Sequence, residues 1–348
     1  MPRDRSVATT PHTDAEVQLR KRSRIARLAW SVLGYNIAVV LWGAYVRASG
    51  SGAGCGRHWP LCNGEVVPQP KSLATIIEAT HRATSGLAVI AVLVLLVATL
   101  VGLPRGHRSR RGAVYSTAFI FCEALIGAGL VLFELVAHDA SLKRGLSMVL
   151  HLSNTFLLLG ALALTAWWAT TEEGAPARPD AKLEASTRGR QPLLVRAAVG
   201  LSLGGVLLLG ASGAVAALGD TLFPATSLRE GLAQDLSPMA HIFLRLRLLH
   251  PVIALGSGVL VLGTAGLVRS LSPSTRARRF ARLVTLLYVV QFGAGLLNLS
   301  LLAPVAMQLV HLLLADATWI ALVLMGWEAC TARGEVPAAA PPSTVAVS

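Results

Sequence analysis

Eight long apolar stretches constrain the fold of this chain more than any other feature. A bilayer core requires about 20 apolar residues per helix, and eight stretches of that length occur in the 348 residues. Only 14% of the residues are charged, whereas an ordinary soluble protein has roughly 25%. The sequence therefore predicts an all-α polytopic membrane protein. Its predicted spans are residues 27–46, 76–103, 113–136, 145–169, 193–218, 239–268, 280–302 and 305–327.

The positive charges indicate topology. The net charge of +13 comes from clusters before the first span and after the second, fourth and sixth, and not from one basic domain that would bind nucleic acid. Loops rich in Lys and Arg stay in the cytoplasm, which predicts cytoplasmic termini. The N-terminal residues contain no apolar signal-peptide region, and with no transit peptide we expect a bacterial cytoplasmic (inner) membrane.

An internal repeat predicts two parallel tandem four-helix bundles. Gly-Ala-Gly-Leu occurs at 127–130 and again at 293–296, and a histidine begins the fourth and eighth spans in similar contexts. An even number of spans per repeat gives both units one orientation. The predicted layout is an N-terminal tail (1–26), a first unit (27–171) with an outer loop (47–75), a linker (172–192), a second unit (193–328) and a C-terminal tail (329–348).

Four histidines lie inside predicted spans: His81, His151, His250 and His311. With a rise of 1.5 Å per residue, three of them lie roughly 7 to 10 Å below the outer boundary and His250 roughly 16 Å below it. Polar side chains in lipid usually face the bundle interior and serve a function. Imidazole binds iron, and helix bundles commonly hold haem. The alternative for each is a hydrogen-bonded core histidine.

Charged residues near these histidines suggest further roles. Haem propionates require donors, for which arginine is well suited, and the candidates are Arg47, Arg82, Arg245 and Arg247. Glu78 precedes His81 by three residues, so both share one helical face. It could accept protons or stabilise charge on a substrate, or merely form a salt bridge with Arg82 or Arg47. Three further acids are predicted to be buried, with packing or proton-transfer roles left open: Glu123, Glu134 and Asp316.

The outer loop combines many glycines with Trp59, Pro60 and two cysteines, which predicts a structured cap. Topology places Cys55 and Cys62 on the oxidising side, where a disulfide persists. A redox-active pair is the alternative. Cys122 and Cys330 lie in or beside lipid, and we expect them to be inert.

Three motifs within residues 43–82, YVRxSGSGxGC, WPLCNG and ExxHR, closely resemble the haem A synthase family, and the likeness extends over residues 26–328. It implies oxidation of a methyl group of haem O, through successive hydroxylations, to the formyl group of haem A. It also implies that His81 and His151 flank the substrate haem with Glu78 as catalytic carboxylate, and that His250 and His311 ligate a haem b that passes electrons.

The family likeness further implies a Cys55–Cys62 disulfide, haem O synthase as a partner, and an unidentified electron donor. Two features depart from it. His250 is followed by Pro251, where many relatives have Arg, and residues 220–237 contain no cysteine pair. Two other functions remain possible: a non-catalytic b-type cytochrome passing electrons between two bis-histidine haems, and a transporter using the repeat interface.

Overall fold

The computed structural model describes residues 11–69, 72–171 and 193–331. These residues form helices and loops, with no β-strand beyond an isolated bridge between Cys62 and Glu65. The helices are α1 (Pro11–Ala48), α2 (Leu73–Gly102), α3 (Arg108–Leu132), α4 (Leu142–Thr171), α5 (Leu193–Leu222), α6 (Leu228–Leu236), α7 (Ile242–Arg247), α8 (Leu249–Leu271), α9 (Thr275–Ser300) and α10 (Val305–Thr331), with a short 3-10 helix at Ser51–Ala53. The predicted linker 172–192 lies outside the described residues, as do parts of both tails.

Eight helical segments in the described part of the chain are long and apolar enough to cross a membrane, which confirms the all-α polytopic prediction. They are α1 to α5, the combined segment Ile242–Leu271, α9 and α10. Side-chain caps start four of them: Ser72 accepts the backbone N–H of Thr75, and Ser274 accepts that of Ala277. The rings of His107 and His241 do the same for Ser109 and Phe243. Such caps satisfy amides that have no partner within the helix.

The sixth predicted span is long and apolar enough to cross a membrane, but it consists of two helices. It breaks at Leu248, between α7 and α8. Pro251 has no N–H to donate to the carbonyl of Arg247, and a proline ring is tolerated only in the first turn of a helix. The helix therefore restarts at Leu249, so His250 lies in the first turn of α8 and not deep within one continuous helix, as the predicted boundaries implied.

The third span is shorter than predicted. α3 ends at Leu132, where Phe133 and Leu135 donate back to the carbonyls of Gly129 and Leu130. Glu134 follows with a positive φ of 57°. Its side chain is 59% exposed and forms an ion pair with Arg57 at 3.0 Å, so the expectation that Glu134 is buried was wrong. The helix ends before reaching it.

The two helices that carry His151 and His311 occupy the centre of the bundle. α4 and α10 have the largest buried shares of the eight candidate spans. They pack directly on each other, with Phe156 and Trp319 stacked at 5.3 Å between ring centroids and the Trp319 indole donating to the Phe156 carbonyl. Gly160 leaves room for that indole. This contact brings the two histidine-bearing helices side by side.

Candidate functional site: four histidines around one cavity

All four predicted histidines line one cavity of about 810 Å³. The cavity is bounded mostly by apolar side chains from α1 to α5 and α8 to α10. Three of the four predicted arginines and Glu78 also line it. The sequence suggested one cavity per repeat unit, whereas the structure shows both histidine pairs opening into a continuous space. Such a space suits a large flat apolar ligand with polar edges.

His250 and His311 face each other with ring centroids 6.5 Å apart and ring planes at 86°. A metal ion held between two imidazoles, about 2 Å from each nitrogen, keeps the ring centres about 6 Å apart. Nδ1 of His250 lies 2.9 Å from the Ser212 hydroxyl, which leaves Nε2 available to coordinate. The observed separation is close to this distance, so the two imidazoles could ligate one metal ion.

Glycines create the space for three of the rings. A Cβ added at Gly43 would lie 2.8 Å from Cε1 of His81, one at Gly213 would lie 3.1 Å from Cε1 of His250, and one at Gly295 would lie 2.9 Å from Cε1 of His311. Carbon atoms in ordinary contact are about 3.5–4.0 Å apart. The rings thus rest directly on the backbone of the preceding membrane span.

His151 has a different neighbour. Its Nδ1 lies 3.0 Å from Oε1 of Glu123 on α3. Glu123 also accepts hydrogen bonds from Asn154 and Thr155, which follow His151 on α4. Nδ1 of His81 is buried with no hydrogen-bond partner among the described residues. The sequence analysis left the role of Glu123 open. The number of residues between Glu123 and His151 could not show that their side chains are in contact.

Glu78 is buried and both of its oxygens accept hydrogen bonds. Oε2 accepts the backbone N–H of Cys55 at 2.8 Å, and Oε1 accepts Nη2 of Arg82 at 2.6 Å. Arg82 in turn donates to the carbonyls of His58 and Leu61 in the outer loop. The salt bridge considered as the alternative for Glu78 is therefore present. The same carboxylate also lines the cavity, so it ties the loop to the site.

The outer loop closes one side of the cavity as a structured cap. A disulfide joins Cys55 to Cys62, and both are buried. Trp59 and Pro60 line the cavity. Gly54 packs so tightly on α2 that an added Cβ would lie 2.4 Å from the carbonyl carbon of Ala74. The loop is thus fixed over the site by covalent and packing contacts.

The predicted arginines have different surroundings. Arg47 donates to the carbonyl of Ala217, the hydroxyl of Thr221 and the side chain of Gln308, at 2.6–2.7 Å. It therefore reaches from α1 to α5 and α10, across the predicted boundary between the units. It lines the cavity as a cation that could meet a carboxylate.

The two arginines of α7 are held by protein groups. Arg247 lines the cavity but is paired with Asp220 at 2.8 Å and with Asp235 at 2.5 Å. Arg245 is exposed, donates to the carbonyl of Pro238, and is not among the cavity-lining residues.

Sequence reasoning missed one cavity cation. α4 begins at Leu142, so Arg144 lies in its first turn, where it is 3% exposed and lines the cavity. It donates to the carbonyls of Ala137 and Asp139. Its position seven residues before His151, two helical turns on one face, was the signal that could have found it.

Asp316 is fully buried and neither of its oxygens has a hydrogen-bond partner among the described residues. This confirms the prediction that it is buried, and it does not line the cavity. Cys122 and Cys330 are free thiols, the former exposed on the apolar surface. None of these three residues belongs to the site.

Known proteins match nearly the same part of the chain as the family resemblance of its motifs. A family model described as cytochrome oxidase assembly protein matches residues 26–73 and 69–323. A protein of Thermus thermophilus named protoheme IX farnesyltransferase is 49% identical over 307 residues, 88% of this chain and 48% of that relative. Heme A synthases of Bacillus mycoides and Bacillus cereus are each 39% identical over 113 residues, 32% of this chain and 36% of theirs. The chain thus spans about half the length of the Thermus relative.

Proposed function

Since the chain belongs to the haem A synthase family of cytochrome oxidase assembly proteins, we propose that it oxidises the methyl group of haem O to the formyl group of haem A by successive hydroxylations. The observation that carries this proposal is the cavity bounded by two histidine pairs, one of which has a carboxylate three residues away on the same helix. An oxidation of this kind requires a position for the substrate, an oxidant that supplies the oxygen atom, and a separate route for electrons.

His250 and His311 hold the electron-transferring haem b in this proposal. Their 6.5 Å ring separation, and the glycines beneath them, support it. When bound there, haem b supplies reversible one-electron chemistry, with a potential set by its ligands and surroundings. The protein fixes both imidazoles and excludes water from an apolar cavity. Arg47, reaching the same side of the bundle, would meet a propionate.

His81 and His151 flank the substrate haem O. Arg82, bound to Glu78 and to the outer loop, positions the cap over this half of the cavity. The carboxylate of Glu78 faces the cavity and can accept a proton or stabilise positive charge as the methyl group is oxidised. To do so, it would exchange its hydrogen bond with Arg82 or Cys55 for one with the substrate.

The hydrogen bonds that Glu78 already makes within the protein also favour a second candidate function. Both of its oxygens already have protein partners, as expected for a structural residue in a non-catalytic b-type cytochrome with two haems. The two functions differ in chemistry, because the cytochrome leaves every bound haem unmodified. Product analysis therefore separates them.

The partners and location follow from the same proposal. The Thermus relative has about twice the length of the matched segment and is named a protoheme IX farnesyltransferase. We infer that an enzyme of this kind, haem O synthase, supplies the substrate, and that an unidentified donor supplies electrons. Positive residues follow every second span, which supports a bacterial inner membrane with both termini in the cytoplasm.

The test is expression in a bacterial host that makes haem O and no haem A. Cells with this chain are expected to accumulate a formyl haem, detected as the pyridine haemochrome of the extracted pigment. A matched His151→Ala variant is expected to accumulate none. Haem O alone in cells that contain the folded, membrane-inserted wild-type chain would contradict the proposal.

A further inference from the structure

Glu123 distinguishes one of the four cavity histidines from the other three. Its Oε1 lies 3.0 Å from Nδ1 of His151. Nδ1 of His250 instead contacts the Ser212 hydroxyl, whereas Nδ1 of His311 has no hydrogen-bond partner among the described residues and its Nε2 lies 3.4 Å from the Gln291 amide nitrogen. His81 has no hydrogen-bond partner at Nδ1 among the described residues. A carboxylate against an imidazole is therefore found at a single one of these positions.

The Glu123 carboxylate is held in a fixed orientation. Thr155 donates its hydroxyl to Oε1, and Asn154 donates its amide to Oε2. The Asn154 amide also donates to the carbonyl of Phe119, one turn before Glu123 on α3. Both groups donate to the carboxylate, which can only accept, so its third neighbour, Nδ1 of His151, is expected to donate as well. That tautomer leaves Nε2 of His151 without a proton and able to coordinate.

Among the described residues of the second unit, this arrangement has no counterpart. The two Gly-Ala-Gly-Leu motifs differ by 166 positions (293 minus 127), which aligns Glu123 with Val289. Val289 is 56% exposed on the outer surface of α9. The predicted repeat thus carries an anionic partner for its axial histidine in the first unit alone.

We propose that Glu123 is a positioning residue for His151, and that its carboxylate, 3.0 Å from Nδ1, makes His151 a stronger donor to the haem in the first unit than the other cavity histidines are to theirs. This rests on the proposed function, which places a haem there. A carboxylate on the far nitrogen of a ligating histidine fixes the ring and increases its basicity. A more basic ligand favours the ferric state, so the two haem positions would differ in potential.

The test uses the full chain with His250→Ala and His311→Ala, which leaves the first pair as the intended site. The protein is purified from haem-depleted cells and titrated with ferric protohaem. Glu123→Ala is expected to weaken protohaem binding about 10- to 100-fold. Glu123→Gln keeps the shape and still binds, but its ferric-to-ferrous ratio at a fixed potential should fall about tenfold, a rise of about 59 mV in midpoint potential for one electron.

Two further variants keep the test decisive. Thr155→Val removes one hydrogen-bond donor to the Glu123 carboxylate at nearly constant volume. It should shift the midpoint potential in the same direction by a smaller amount. This variant replaces the Glu123 variants in the test if those do not fold. Glu328→Gln is the matched control, because that carboxylate binds Trp167 and Ser274 and does not line the cavity. It should leave both affinity and potential unchanged.

The outcomes separate this inference from the proposed function. Unchanged affinity and potential in Glu123→Gln and Glu123→Ala would overturn the positioning role while leaving a haem in the first unit. An equal shift in Glu328→Gln would also overturn it, since the effect would then be a general response to losing a buried charge. No protohaem binding by the parent with intact Glu123 would instead contradict the proposed function.

Discussion

Gly295 offers the sharpest test of the second histidine pair. Replacing it with Ala would place a Cβ 2.9 Å from Cε1 of His311. Contact distances of about 3.5 Å then require the ring to retreat by about 0.6 Å. The imidazole is the end of a side chain with two rotatable bonds, so the fold can absorb this movement. Metal ligation cannot absorb it, because the distance between a ligand atom and its metal varies by only about 0.2 Å.

We therefore expect Gly295→Ala to lose the low-spin haem of the second site while its helical circular dichroism and membrane insertion stay unchanged. The matched control is Gly293→Ala, two residues away in the same motif, where an added Cβ meets nothing within 4 Å. In a helix that change is neutral or stabilising by about 0.5–1 kcal/mol. A Gly295→Ala protein that keeps the full low-spin spectrum would refute the proposal that Gly295 leaves the space in which His311 ligates the haem.

Three further predictions concern residues around the cavity. Glu78→Gln should keep an acceptor for the Cys55 amide yet lower product formation by about 100-fold, with resident haem still present by absorbance; normal product formation would refute catalysis by this carboxylate. Alkylation of the oxidised protein should label neither Cys55 nor Cys62, and labelling before reduction would contradict the disulfide. Arg47→Ala should weaken haem retention in the second unit about 10-fold, as expected when a charged hydrogen bond of about 1.5 kcal/mol is lost; unchanged haem content at limiting haem supply would argue against a propionate contact.

The sequence could predict features that depend on local pattern. Hydrophobic runs located all eight spans, because the bilayer requires long apolar helices whatever their packing. The histidines on α2, α4, α8 and α10 were recognised by the cost of polar groups in lipid. Helix ends were harder to place. The end of α3 at Leu132 and the break at Leu248 depend on backbone turns, although Pro251 was a visible signal for the break.

Contacts between helices could not be predicted, because they depend on rotation of each helix about its axis. Glu123 meets His151 only once α3 and α4 have packed. Arg47 was assigned to the first unit and donates instead to α5 and α10. For the same reason, the glycines beneath the histidine rings resembled ordinary packing residues until each ring was placed above its helix. No periodicity in the sequence encodes such distances.

In the proposed function, one histidine pair holds a haem that is chemically changed and the other pair holds a haem that is not. The most direct measurement is the mass of every haem extracted from the purified chain, produced in cells that make haem O and supplied with oxygen and reductant. Unmodified haem b is expected together with hydroxylated or formyl derivatives of haem O in one preparation. Recovery of haem b alone would contradict it and indicate an electron carrier.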